Sequence, residues 1–317
     1  MSSTTLDLVV STHAALLRVA VNCETGRADV TVLHDACPVY FGLTACAGGM
    51  LIAARNVGLD FRVATPGLPC NAIWRLADGA TTPEPYIAHP ALFDLHQIHA
   101  VGNWLFVVMG WGSRLAVFDI AARRLLGSFD LQSVVPPDLR RTDRPRDRYH
   151  FNSISFAGGR LFVLAHNWEE GSFALELRLD PASREVPVLT PGPVHRDLGH
   201  ASHDIAFDEG TLFFLDGEGG ALVARGHPAG RAGLPGRETR PYPRGLVVMR
   251  DRVIVGYGSW SAEHGERAAS PTRLCVFGRE RLDVRLDLDL GPFGNPCALS
   301  LAVAGPGGGA WPAVAAN

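Results

Sequence analysis

The 317-residue sequence predicts an all-β chain, a β-propeller of about six four-stranded blades whose ring is closed by pairing of N- and C-terminal strands. Three observations predict it. A two-strand unit recurs along the chain, its copies stand about one blade apart, and the two ends carry short apolar strands that together would supply one more blade.

The recurring unit is a short apolar strand, a turn, and a second, more hydrophobic strand. Its copies read FGLTACAGGMLIAARN from Phe41, HQIHAVGNWLFVVMG from His96, NSISFAGGRLFVLAHN from Asn152, HDIAFDEGTLFFLDG from His203 and RGLVVMRDRVIVGYG from Arg244. Aligned by eye, Thr44, Ile98, Ile154, Ile205 and Leu246 share one position, at intervals of roughly 40 to 56 residues, the span of a propeller blade. RLAVFDI from Arg114 and FALELRLD from Phe173 alternate with period two and read as third strands. LDLVVSTH, ALLRVAVN and ADVTVLHD near the N-terminus would be completed by CALSLAVA from Cys297, which pairs edges that would otherwise stay open. The whole of 1–317 thus reads as a single propeller domain. Residues 128–149 and 225–240, rich in Pro, Arg, Asp and Gly, read as loop insertions, and 305–317 as a loose tail. A seven-bladed ring and a two-sheet sandwich are the alternatives that the spacing admits.

Composition agrees with many short buried strands: 47% of residues are hydrophobic and 19% charged, with 35 Gly and 22 Pro to make turns. A net charge of −3 supplies no electrostatic attraction for nucleic acid or an anionic membrane. All 29 basic residues are arginine, which removes Schiff-base chemistry and a P-loop lysine, since both need a primary amine. The six cysteines show no C-x-x-C spacing, so neither a zinc ribbon nor a dithiol centre is expected. No apolar run reaches the roughly 18 residues of a membrane span and the N-terminus lacks a signal-like pattern, so a soluble, cytoplasmic protein is expected. A G-x-S-x-G elbow, an H-E-x-x-H helix and a strand-linked G-x-G-x-x-G are also absent.

In a propeller the first strand of each blade lines the central channel. Two positions before the aligned apolar residue stand Gly42, His96, Asn152, His203 and Arg244, brought from five blades to one axis. Nearby positions add Asp94, His99, His150, His200 and Asp204, and second-strand ends add His13, Asn56, Trp111, His166, Asn167, Asp216, Glu218 and Trp260. Neutral imidazoles with amide or carboxylate oxygen suit a divalent transition metal, Fe, Cu, Mn or Zn, whereas an oxygen-only set would favour Ca or Mg. The expected metal ligands are His96, His150, Asn152 and His203. Asp204, Asp216 and Glu218 are the candidate catalytic acids and bases, and Trp111, His166, Asn167, Arg244 and Trp260 the candidate substrate pocket. The bland alternatives are channel histidines bonded to backbone, a polar turn in DGEGG and tryptophans packed between blades. The arginines of RRTDRPRDR, from Arg140, could clamp an anion, or pair internally in a solvated loop.

HFNSISFAGGRLFVLAHN and HDIAFDEGTLFFLDG resemble two blades of the gluconolactonase and strictosidine-synthase-like six-bladed propellers. The resemblance implies a divalent ion in the channel on Asn, Asp and Glu ligands, with Asn152 matching a metal asparagine and Asp216 the aspartate that ends the later blade's second strand. His203 stands where that family has another asparagine, and the N-terminal glutamate ligand has no counterpart. The several histidines also resemble, as a ligand pattern only, the four-histidine iron site of the carotenoid-cleavage oxygenases.

The sequence therefore favours a metal-dependent enzyme acting on a small organic molecule in a His-rich pocket at the channel mouth, oxygen activation being one chemistry open to it. The alternatives are a lactonase-like divalent-metal hydrolase, a metal-free condensing enzyme or lyase, and a non-enzymatic ligand- or protein-binding propeller.

Overall fold

A short strand that is apolar on both faces is stable only inside a stack of sheets. In the computed structural model, which describes residues 5–57, 64–141, 143, 147–180, 182–236, 240–261 and 264–302, such strands form six four-stranded antiparallel sheets. The first blade takes three strands from the N-terminal region: β1 (Thr5–Thr12), β2 (Leu16–Asn22) and β3 (Arg27–His34). The second holds β4 (Val39–Cys46), β5 (Gly49–Arg55), β6 (Asn71–Ala77) and β7 (Glu84–Ile87). The third holds β8 (Leu95–Val101), β9 (Trp104–Met109), β10 (Arg114–Asp119) and β11 (Arg124–Asp130). The fourth contains β12 (Phe151–Ala157), β13 (Arg160–Ala165), β14 (Phe173–Leu179) and β15 (Leu189–His195), and the fifth β16 (His203–Asp208), β17 (Thr211–Asp216), β18 (Ala221–Arg225) and β19 (Arg231–Gly233). The sixth consists of β20 (Pro241–Val248), β21 (Arg252–Ser259), β22 (Thr272–Gly278) and β23 (Val284–Gly291). Finally β24 (Pro296–Leu301) pairs antiparallel with β1, placing Leu299 opposite Val10 and Ala298 opposite Ser11. The six-bladed ring is thus closed between the two ends of the chain.

Burial follows position in the blade. Every residue of β17 is buried because the strand lies mid-sheet between two neighbouring blades, whereas at the outer edge β11 has no buried residue and β23 only Leu288 and Leu290. Alternate side chains of one strand serve opposite interfaces. Leu105, Val107 and Met109 of β9 pack toward the second blade, and Phe106 and Val108 toward the fourth. The apolar core is accordingly divided into six clusters, one at each blade-to-blade interface.

Two expected insertions are partly blade. β19, within 225–240, is the outermost strand of the fifth blade, and Ser128 to Asp130 end β11 before two 3-10 turns at Leu131–Val134 and Pro137–Leu139. The expected loose tail, 305–317, lies outside the described residues. Among the described residues no helix is long and apolar enough to cross a membrane.

The innermost strand of every blade breaks register near its start. The shifts fall between Tyr40 and Leu43, Leu95 and Ile98, Phe151 and Ser153, His203 and Ile205, Pro243 and Leu246, and, in the first blade, between Ser11 and Thr12 on the strand facing Cys297. A bulge bends its strand and re-aims the side chains within it. Register also corrects the sequence alignment by one residue in the second blade. Leu43, opposite Ile52, occupies the place that Ile98 holds opposite Val107, so Phe41 rather than Gly42 is the counterpart of His96.

Leu299 packs in the cluster that joins the first and last blades. Leu299→Ala should destabilise the protein by about 2–5 kcal/mol, as large-to-small core changes do. Urea unfolding monitored by circular dichroism measures this, and an unchanged midpoint would mean that the closing strand contributes little.

Candidate functional site

Six bulged strand starts around one axis leave a cavity of about 780 Å³ at one mouth of the channel. Three structural positions, each used by several of the blades, build its wall. Two residues before the aligned apolar position come Phe41, His96, His203 and Arg244; four before it come Val39, Asp94, His150 and Tyr242; and the ends of second strands supply His13, Arg55 and His166. Asp94 and His150 have φ of 49° and 48°, a left-handed turn just ahead of the strand. Loops complete the wall with Phe93 stacked on Trp111 at 5.1 Å, and with Trp168, Trp260, Asp147 and Arg267. Where the third blade would place a second-strand side chain there is Gly110. A Cβ on it would fall 2.9 Å from Asp94 Oδ2 and from His96 Cδ2, so the glycine is what lets this pair approach the strand.

The rings form a continuous arc. His96 meets His150 edge to face at 4.8 Å, His150 meets His166 at 5.7 Å, His166 meets His203 at 5.8 Å, and His203 meets Tyr242 at 5.3 Å, which in turn meets Trp260 at 4.9 Å. Hydrogen bonds set the tautomers. His150 Nδ1 donates to Asp147 Oδ2 at 2.8 Å and His203 Nδ1 to the Ala201 carbonyl at 2.8 Å, so in the neutral rings Nε2 is the basic nitrogen. His166 is reversed, because its Nδ1 accepts the Trp168 N–H at 3.2 Å and its proton therefore sits on Nε2.

Burial pushes His96, His166 and His203 below the usual histidine range, His166 to about 3, and the charge of Arg244 adds to the shift at all three. Asp94 is held well below the usual carboxylate range. Burial alone would raise it, but His96, Arg55 and His150 outweigh that, and it accepts from Arg55 Nη1 at 3.0 Å and from the Trp111 N–H at 2.9 Å. His96 Nε2 stands 3.6 Å from Asp94 Oδ2, too far for a hydrogen bond, and is buried without a hydrogen-bond partner.

Of the residues singled out in the sequence, His13, Asp94, His96, His150, His203, Trp111, His166, Arg244 and Trp260 all reach the cavity wall. The others are spent elsewhere. Asn152 is buried beside the channel, donating to the Ser202 carbonyl and accepting from Ser153 Oγ. Asn167 donates to the Gly171 carbonyl within its own turn. Asp204 points across the channel to the Gly245 N–H at 2.7 Å and Gln97 Nε2 at 3.2 Å, and burial raises its carboxyl to about 6. Asp216 is ion-paired with Arg231 at 2.9 Å and caps the turn that follows it through the Gly219 N–H. Glu218 is an exposed rim residue 4.0 Å from Arg240. His99 lies off the cavity against Phe156, as side-chain alternation predicts. In the arginine-rich loop, Arg141 pairs internally with Asp143 at 2.7 Å.

This placement is a poor fit for a cation on His96, His150, Asn152 and His203. His203 Nε2 accepts from Arg244 Nη2 at 2.7 Å, which consumes the lone pair that a metal needs and sets a fixed positive charge beside it. The Asn152 amide is bonded at both ends, and the Asp216 carboxylate of an oxygen-rich alternative is engaged by Arg231. Among the described residues, no group of three or more His, Cys, Asp or Glu is arranged to hold a metal ion.

Sequence reasoning missed Phe41, Arg55, Asp147, Tyr242 and Arg267. Phe41 was hidden by the one-residue slip in alignment. Tyr242 was legible in principle, since it stands two residues before Arg244 as His150 stands two before Asn152. Asp147 and Arg267 come from loops, which carry no repeat.

No known protein family matches the chain, and no curated protein is similar to it. Solved structures are. A crystal structure of a nidogen/laminin complex aligns with TM-score 0.60 at 13% identity, covering 94% of this chain and 99% of that one. A crystal structure of a protein from Lactobacillus plantarum aligns with TM-score 0.61 at 10% identity, covering 94% and 100%. At such identities the likeness shows the β-propeller fold alone, and it singles out no family of propellers, the gluconolactonase-like group included.

The buried neutral histidines tie stability to pH. Above about 6.5 neither the folded nor the unfolded state protonates them; below it the unfolded chain binds protons that His96, His166 and His203 refuse, so stability falls with pH toward the folded values, about 3 for His166. Asp204, raised to about 6, acts in the opposite sense between that value and the ordinary aspartate range. The melting temperature should therefore drop on acidification from about pH 6.5 to about pH 4, and less steeply in His166→Gln, as differential scanning fluorimetry would show. A flat profile would mean that these rings are solvated.

Proposed function

We propose that the protein is an enzyme that holds a small organic molecule in this cavity and moves a proton with His150, His96 standing beside it as the second acid–base group. The observation that carries the proposal is the Asp147–His150 pair. A carboxylate on Nδ1 fixes ring orientation and tautomer, leaves Nε2 as the base, and stabilises the imidazolium formed when that base takes a proton. His96 lies edge-on to His150 from the adjoining blade, with its Nε2 3.6 Å from Asp94 Oδ2 and no hydrogen bond between them. The aromatic wall of Phe41, Phe93, Trp111, Trp168 and Trp260 excludes water from the bound molecule and strengthens the electrostatics of the site. No step in this reading passes through a metal. The competing reading is a propeller that binds the same kind of molecule without changing it.

Incubation of a small-molecule metabolite extract with wild type, His150→Gln or Asp147→Asn, followed by untargeted mass spectrometry, separates the two. The enzyme reading expects a compound consumed by wild type, with a rate about 10²- to 10⁴-fold lower in His150→Gln and about 10- to 100-fold lower in Asp147→Asn. Depletion that is equal in wild type and His150→Gln, or retention of a compound without turnover, would overturn it.

A further inference from the structure

We infer that the sixth-blade side of the cavity is an anion subsite, formed by Arg244 and Arg267 beside Tyr242, and that the molecule this pocket takes is an aromatic monocarboxylate. The inference rests on the cavity being a small-molecule site and names the class of that molecule; it does not require that His150 be a catalyst.

Arg244 is 7% exposed, yet among the described residues no carboxylate lies within 4 Å of it. Its Nη2 donates to neutral acceptors, His203 Nε2 at 2.7 Å and Tyr242 Oη at 3.2 Å, and its Nε is buried with no partner. A guanidinium carries five N–H donors in a fork shaped for a carboxylate, so a buried one whose partners are a ring nitrogen, a phenol and the Cys297 thiol, and whose Nε has none, is unfinished. Asp204, the nearest acid in the channel, is turned to the Gly245 N–H and to Gln97. Arg267, on the helix His264–Ala269, gives its Nε to the Ser261 carbonyl, and its guanidinium lies 5.8 Å from the Tyr242 ring centroid, against 5.0 Å for that of Arg244. Burial, and then the charge of Arg244, push Arg267 below the usual arginine value, as expected of two cations facing one empty space.

Charge and shape narrow the ligand. Among its arginines and aspartates, the described cavity wall carries three of the first (Arg55, Arg244, Arg267) and two of the second (Asp94, Asp147), a surplus of one fixed positive charge and the complement of a monoanion. The Arg55 charge is already met by Asp94 at 3.0 Å, so the surplus sits on the sixth-blade side. Across the cavity stand Phe41 and the Phe93–Trp111 stack, which suit the flat apolar body of the same molecule.

Isothermal titration with 2-naphthoate and its neutral isostere 2-naphthamide tests this directly. Wild type should bind the acid about 10- to 100-fold more tightly than the amide, with the preference shrinking as salt is added. Arg267→Gln should lose most of that preference while keeping affinity for the amide, and Arg244→Lys, which keeps the charge but not the fork, should retain only part of it. Equal binding of acid and amide, absence of binding by the acid, or an undiminished preference in Arg267→Gln would overturn the inference. Acid-selective binding that persists in a His150→Gln protein, with no turnover of any compound by wild type, would sink the catalytic reading and leave this one standing.

Discussion

The bulge at the start of each innermost strand is the feature on which the rest of the channel mouth depends. Six sheets packed around one axis bring their inner strands close enough for backbone to touch backbone. A Cβ on Gly42 would lie 2.5 Å from the Ile98 nitrogen, and one on Gly245 would lie 3.1 Å from the Leu299 nitrogen. A regular ladder would aim alternate side chains of each strand into its neighbours at that radius. Inserting an extra residue bends the strand, leaves Phe41, His96, His203 and Arg244 facing the cavity, and turns their successors, Gln97 and Asp204 among them, to bond across the channel beneath. One backbone device, repeated by the fold, thus separates a cavity layer from a closed polar layer below it.

Electrostatics in the cavity layer follow from burial and from the charge of Arg244. A permanently charged guanidinium buried beside His203 makes protonation of that ring unfavourable, and its field reaches His166 and His96 as well. Burial above all, reinforced by this charge, disfavours the charged forms of His96, His166 and His203, so the positive character of that side is concentrated in arginine, where it cannot titrate. On the opposite side, Asp147 orients His150 through Nδ1, and Asp94 stands 3.6 Å from His96 Nε2. The cavity is polarised, with a cationic end near Tyr242 and an imidazole pair beside two carboxylates near Trp111, and that polarity suits an anion held at one end while a proton moves at the other.

Legibility from sequence divided along the same line. The propeller, its six blades and the closing of the ring by CALSLAVA against LDLVVSTH were readable, because blade packing demands a short strand, a turn and a more hydrophobic strand at each station, and that demand is written locally in the pattern of apolar residues. The convergence of His96, His203 and Arg244 could be read from the same repeat, since equivalent positions in a ring must face one axis. The Gly42 misplacement shows the limit of this reading, since a bulge adds a residue that no periodicity reveals.

What only the tertiary structure decided was how those side chains spend their polar atoms. Asn152, Asp216 and His203 are good ligands by residue type, but each is engaged by a partner distant in sequence: the Ser202 carbonyl, Arg231 and Arg244. Asp147 and Arg267, from loops outside the repeat, give the pocket its orienting carboxylate and its second cation. The sequence by itself determined the ring and the set of residue types at its mouth, because strand patterning is local. The pairings that make the site cationic at one end and basic at the other arise only when six blades are brought together, because hydrogen bonding and burial are properties of neighbours in space.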